Sequence, residues 1–105
     1  MSDELLRMTD VLGSVVIIKT AVWRVIEEKH PEVAGCLSLI SEVLGQPEEV
    51  RYSVRRQDSA LYYRRYADQY DGKWFVVVVK RSIENVVSTC YVTDRIKSGE
   101  LLWKP

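Results

Sequence analysis

RYSVRRQDSALYYRRY, residues Arg51 to Tyr66, is the stretch that decides the fold. It holds five arginines and four of the chain's six tyrosines, so its apolar and cationic side chains must be sorted onto two sides of something. Val50, Tyr52 and Val54 alternate with Arg51, Ser53 and Arg55, the period of a half-exposed strand. A turn near Gln57-Asp58-Ser59 leads into a second strand, Leu61–Tyr66. One face of the resulting sheet is apolar and must be covered. The other is cationic and tyrosine-bearing.

Working outward, the cover comes from the N-terminal side. Met1 to Gly13 is weakly patterned, with a short helical turn at Leu5, Leu6 and Met8, and Val15-Val16-Ile17-Ile18 is a β-branched run that predicts a short strand. Val22, Trp23, Val25 and Ile26 follow at helical spacing behind a Thr20 cap, and Pro31 ends that helix near His30. A second helix is expected to open at Pro31, to present Val33, Leu37, Ile40, Val43 and Leu44 as one stripe, and to stop at Gly45 and Pro47.

On the C-terminal side the sheet is extended. Asp71-Gly72 predicts a two-residue hairpin of type I′. Trp74–Val79 is apolar on both faces, as a central strand is, and Val86–Thr93 is the last long strand. Asp94 to Gly99 is a charged loop, after which Leu101-Leu102-Trp103 folds back to pack. The expected fold class is therefore α+β: N-terminal helices on one face of a four-stranded antiparallel sheet, one domain over residues 1–105.

Composition narrows the function. Fifteen basic residues balance fifteen acidic ones, which argues against a protein that coats nucleic acid generally and leaves room for a local basic patch. Met1–Asp10 carries acids and no long apolar run, unlike a secretory leader, and no run is long enough to span a membrane. Cys36 and Cys90 have no metal-type spacing and are expected to be reduced, buried thiols of a cytoplasmic protein. There is no glycine-rich phosphate loop, nucleophile elbow or His/Cys metal pattern, so neither cofactor nor metal is called for.

Each candidate for chemistry has two readings. His30, the single histidine, is either the cap of a helix junction or a proton-transfer group, which imidazole suits near neutral pH. Arg51, Arg55, Arg56, Arg64 and Arg65 are either solvated strand residues or phosphate ligands. Tyr62 and Tyr63 point to opposite faces, so one is core and the other is free to stack a base. Thr93-Asp94-Arg95 is either a strand-ending turn or part of a site.

Taken in order, several segments resemble the small phage and bacterial proteins grouped with the barnase, EndoU, colicin and RelE-type nucleases. They are His30-Pro31-Glu32, Pro47-Glu48-Glu49-Val50-Arg51, Leu61-Tyr62-Tyr63, the Val76–Lys80 strand, and Tyr91 to Lys97 with Gly99-Glu100 and Trp103. The match runs from about Ser14 to Trp103. It lacks the proline that often follows Arg-Asp after the first sheet strand, having Arg56-Gln57-Asp58-Ser59. The resemblance implies helices against a four-stranded antiparallel sheet and an RNA-cleaving or RNA-binding site on the open face. A histidine from the helical part, an arginine from the first meander strand and a hydroxyl from the last would form it: His30, Arg51 and Thr93. Metal-independent attack by a 2′-hydroxyl would then be assisted by His30 and by Arg51 with Arg55. Tyr62 or Tyr63 would hold a base, with Arg95 beside the substrate. RNA and an inhibitor or antitoxin protein are the implied partners. The alternative is a non-enzymatic RNA- or protein-binding module of the same fold.

Overall fold

The computed structural model describes residues 3–105; Met1 and Ser2 lie outside it. Seven strands form one sheet: β1 (Glu4–Thr9), β2 (Val15–Lys19), β3 (Glu49–Tyr52), β4 (Ser59–Tyr66), β5 (Lys73–Lys80), β6 (Asn85–Thr93) and β7 (Leu101–Trp103). Their order across the sheet is β1-β2-β6-β5-β4-β3-β7. All neighbours are antiparallel except β2 and β6, which run parallel through Val16↔Asn85 and Ile17↔Val86.

This overturns the four-stranded antiparallel sheet with helices leading the chain. The sheet has seven strands and is mixed, and two strands precede the first helix. The segment expected to be a helical turn is β1: Leu6 and Met8 face inward while Leu5, Arg7 and Thr9 face out, a period of two that β2 completes. β7 extends the far edge by pairing with β3. The meander β3–β6 forms as expected, and its strands stand side by side.

Helix α1 (Thr20–Lys29) buries Trp23 and Ile26 and stops at His30, whose N–H still bonds the Ile26 carbonyl at 2.8 Å. The second helix is shorter than its apolar stripe predicts. Pro31–Val33 makes only a 3₁₀ turn, and Gly35 adopts φ 75°, a left-handed conformation natural to glycine. Helix α2 (Leu37–Gly45) then starts afresh. Both helices cover one face of the sheet. Val16, Ile18, Ile26, Val33, Ile40, Val43, Leu44, Val50, Tyr62, Phe75, Val77 and Cys90 form the core between them. The Asp71-Gly72 turn is present, with positive φ at both residues (53° and 81°) and a Lys73 N–H bond to the Tyr70 carbonyl at 2.9 Å. It sits inside a longer loop, because the strands pair only from Tyr66↔Lys73.

A polar cluster is sealed into the helix side. The Asp10 side chain is fully buried. It accepts from the Leu12 and Ser14 amides at 3.0 and 2.8 Å and from the Tyr62 hydroxyl. Arg81 lies 3.7 Å from the same carboxylate and donates to Tyr62 Oη and Ser14 Oγ, each at 3.2 Å. Burial above all, and then the Asp10 acceptor, holds the Tyr62 phenol far above its usual range, so it remains a proton donor. Tyr62→Phe should destabilise the fold by about 2 kcal/mol, the scale of a hydrogen bond to a charged group. Urea unfolding measures this, and an unchanged midpoint would show that the bond contributes nothing.

Both cysteines are free thiols. Cys90 is fully buried, and burial, with smaller contributions from Glu32 and Cys36, pushes its thiol up to about 12. Cys36 is half-buried rather than buried, with Sγ 3.3 Å from Tyr70 Oη. In the native protein at mild alkaline pH, a thiol reagent should modify Cys36 and spare Cys90. Unfolding without reductant should release the second thiol. A chain that needs a reductant before either thiol reacts would contradict this.

Candidate functional site

The face opposite the helices is crossed by the chain itself. Because β6 and β7 are separated by β5, β4 and β3, residues 94–100 must pass over those three strands to join them. This strap is seated on a second apolar cluster. Ile96 packs against Leu61, Tyr63 and Val76, with Trp74, Val78 and Tyr91 around them. The Lys97 amide donates to Tyr63 Oη at 3.2 Å. The Glu100 carbonyl accepts from the Tyr52 amide at 2.9 Å.

Beside the strap lies a cleft of about 340 Å³. Leu61, Tyr63, Val78 and Tyr91 line it, with the cations Arg55 and Lys97. The Lys97 Nζ stands 5.5 Å from the centroid of the Tyr91 ring, a cation–π arrangement.

His30 also reaches this tyrosine. β2 covers the β6 edge only at Asn85 and Val86, so further along α1 and the 3₁₀ turn pack against β6 instead. His30, ending α1, therefore comes to the rim of the strap face, its ring 5.9 Å from that of Tyr91. Its Nδ1 is 3.5 Å from a Glu32 carboxylate oxygen, an ion pair when the imidazole is protonated. Glu32 is itself fixed through its backbone, whose carbonyl accepts from Tyr70 Oη at 2.9 Å. Thr93 lies two residues beyond Tyr91 on the same strand face, with Oγ1 donating to the Arg95 carbonyl at 3.4 Å.

Arg51 is not part of this group. It shares the strap face, since its cross-strand partner is Leu61. The pairing Arg51↔Leu61↔Val78↔Thr89 puts it three strands away from β6 and four residues off the level of Thr93. At roughly 4.8 Å per strand and 3.4 Å per residue, the two Cα atoms are on the order of 20 Å apart. Arg51 is also occupied: its Nε donates to the Glu49 carboxylate and its Nη1 to the Gly99 carbonyl at 2.7 Å.

The remaining candidates divide. The Tyr62 ring is fully buried against the helices and offers no surface to a base. Tyr63 is also fully buried, but beneath the strap, where it lines the cleft. Arg55 is exposed on the cleft wall. Arg95, with 84% of its side chain exposed, sits 3.9 Å from Asp94 and outside the cleft. Val54, expected under the helices, is 70% exposed in the loop after β3. Sequence reasoning missed Glu32, Tyr91 and Lys97. Lys97 closed the quoted Tyr91-to-Lys97 segment without being singled out, and only the strap's path brings it back over β6. Glu32 and Tyr91 stood within the quoted motifs without being singled out.

No family model matches the chain, and no curated protein or solved structure matches it. Among the described residues no helix is long and apolar enough to cross a membrane.

Proposed function

We propose that the chain is a ribonuclease that cleaves RNA by attack of a 2′-hydroxyl on the adjacent phosphodiester. His30 beside Tyr91, with Glu32 at Nδ1 and Lys97 on the same tyrosine ring, is the observation that carries this reading. A histidine with a carboxylate near one nitrogen keeps the other nitrogen for proton transfer. In the reaction the 2′-oxygen bonds to phosphorus as the phosphorus–O5′ bond breaks, leaving a 2′,3′-cyclic phosphate and a 5′-hydroxyl. His30 performs one of the two proton transfers. Lys97 pairs with the phosphate charge in substrate and transition state alike, and the Thr93 hydroxyl orients the phosphate. The cleft beyond Tyr91 receives a neighbouring nucleotide, its cations Arg55 and Lys97 meeting phosphate and its apolar lining meeting the base. The resemblance of the His30-Pro31-Glu32 and Tyr91-to-Lys97 segments to the barnase, EndoU, colicin and RelE-type nucleases supports the same chemistry.

The test is a cleavage assay on single-stranded RNA with chelator present. Products ending in a 2′,3′-cyclic phosphate support the proposal. Equal cleavage of a substrate carrying 2′-deoxyribose at the scissile position would end it. RNA that is bound but left intact would favour the binding module instead.

A further inference from the structure

We infer that Glu49, Arg51 and Gly99 form a clamp that sets the strap, making Arg51 a positioning residue for Lys97 and the cleft wall. The inference rests on the ribonuclease reading for its catalytic consequence and on geometry alone for the clamp.

The strap has little slack. From Thr93 to Leu101 it must cross four strand spacings and drop about four residues along the sheet, a path on the order of 23 Å. The chain between those residues spans roughly 28 Å when fully extended. It is also pressed down at one point. A Cβ on Gly99 would overlap the Tyr52 carbonyl oxygen, so only glycine allows the strap to lie this close to β3. At that point Arg51 grips it: the guanidinium donates to the Gly99 carbonyl at 2.7 Å while Glu49, 7% exposed, holds the other side of the fork. The planar fork fixes two partners at once, which a lysine ammonium does not reproduce. Lys97 is two residues from this anchor, and its own amide is tied to Tyr63. Release at Gly99 therefore loosens the segment that carries Lys97 over Tyr91.

Arg51→Met and Gly99→Ala should show one shared phenotype. Hydrogen exchange at the Lys97 and Tyr52 amides, which bond Tyr63 Oη and the Glu100 carbonyl, should quicken about tenfold or more while β5 amides stay protected. With a fluorescent single-stranded oligoribonucleotide, KM should rise about tenfold and kcat change less than about threefold, because a loosened phosphate contact weakens binding in ground and transition states alike. Lys97→Ala should match this, and adding Arg51→Met to it should change little more. Arg51→Lys should resemble Arg51→Met. Recovery of most of the rate by Arg51→Lys, or a fall in kcat at constant KM, would mean that the Arg51 charge acts on the reacting phosphate itself and would overturn the inference. Unchanged exchange in both variants would overturn it as well. If the wild type cleaves no RNA, faster exchange at those two amides still upholds the clamp while the ribonuclease reading falls.

Discussion

Val77→Asp should unfold the protein or cost it more than about 4 kcal/mol, while its neighbour Val78→Asp should cost only about 1–2 kcal/mol. Val77 is fully buried on β5, between Tyr62 on one flanking strand and Cys90 on the other, under the helices. A carboxylate there has no cationic partner and no route to water. Val78 points to the strap face, is only half-buried and lines the cleft, where solvent reaches an aspartate. The run Trp74–Val79 alone suggests equal penalties, because it is apolar at both positions. The difference arises because helices seal one face, while a single crossing segment covers the other. Urea midpoints of the two variants measure it, and a Val77→Asp protein that unfolds with the wild type would remove β5 from the centre of the fold.

His30→Ala should lower the rate of RNA cleavage by about 10²-fold or more, the usual scale for a lost general acid or base. The imidazole is partly exposed at the end of α1, with a side chain 32% accessible, so little packing is lost with it. Its tilted contact with Tyr91 is the main one to go. The melting temperature should therefore stay close to that of the wild type. Glu32→Gln should act in the same direction and more weakly, because it removes the charge at Nδ1 and leaves the imidazole in place. Wild-type cleavage by the His30→Ala protein would place the chemistry elsewhere.

Much of the helix side was legible because its pattern is local. Trp23 and Ile26, Ile40 with Val43 and Leu44, and the alternation in β4 each announce a buried face within a few residues. Thr20–Lys29 was placed almost to the residue, although Thr20 is not its cap: it is the first helical residue, behind Lys19, and its hydroxyl donates to the Asp3 carbonyl at 3.1 Å. Gly45 and Pro47 marked the end of α2. The failures are long-range. Leu5, Leu6 and Met8 suit a helical turn as well as a strand until β2 lies beside them. Pairing of β2 with β6 joins distant segments and leaves no local signature. The same holds for the site. His30 was singled out correctly as being at the helix break, and Arg51 as facing away from the helices. Yet the distance between them depends on strand order, which alternation within a strand does not encode. Arg51 invites a phosphate-binding reading from its type and neighbours. Its buried partner Glu49 is two residues away in the same strand, and its second partner, Gly99, lies in the strap, far away in sequence.

The strap also orders events during folding. A segment that crosses three strands can be laid down only over strands that already stand, so β3 to β6 must assemble before residues 94–100 settle and β7 docks. The meander itself is built from neighbouring strands in sequence and can form early. An intermediate halted there would have its helix-side core in place and Leu61, Tyr63 and Val76 uncovered on the opposite face. It would bind hydrophobic dyes and would lack the cleft. Formation of the cleft should accordingly lag behind the burial of Trp23 and the formation of the sheet.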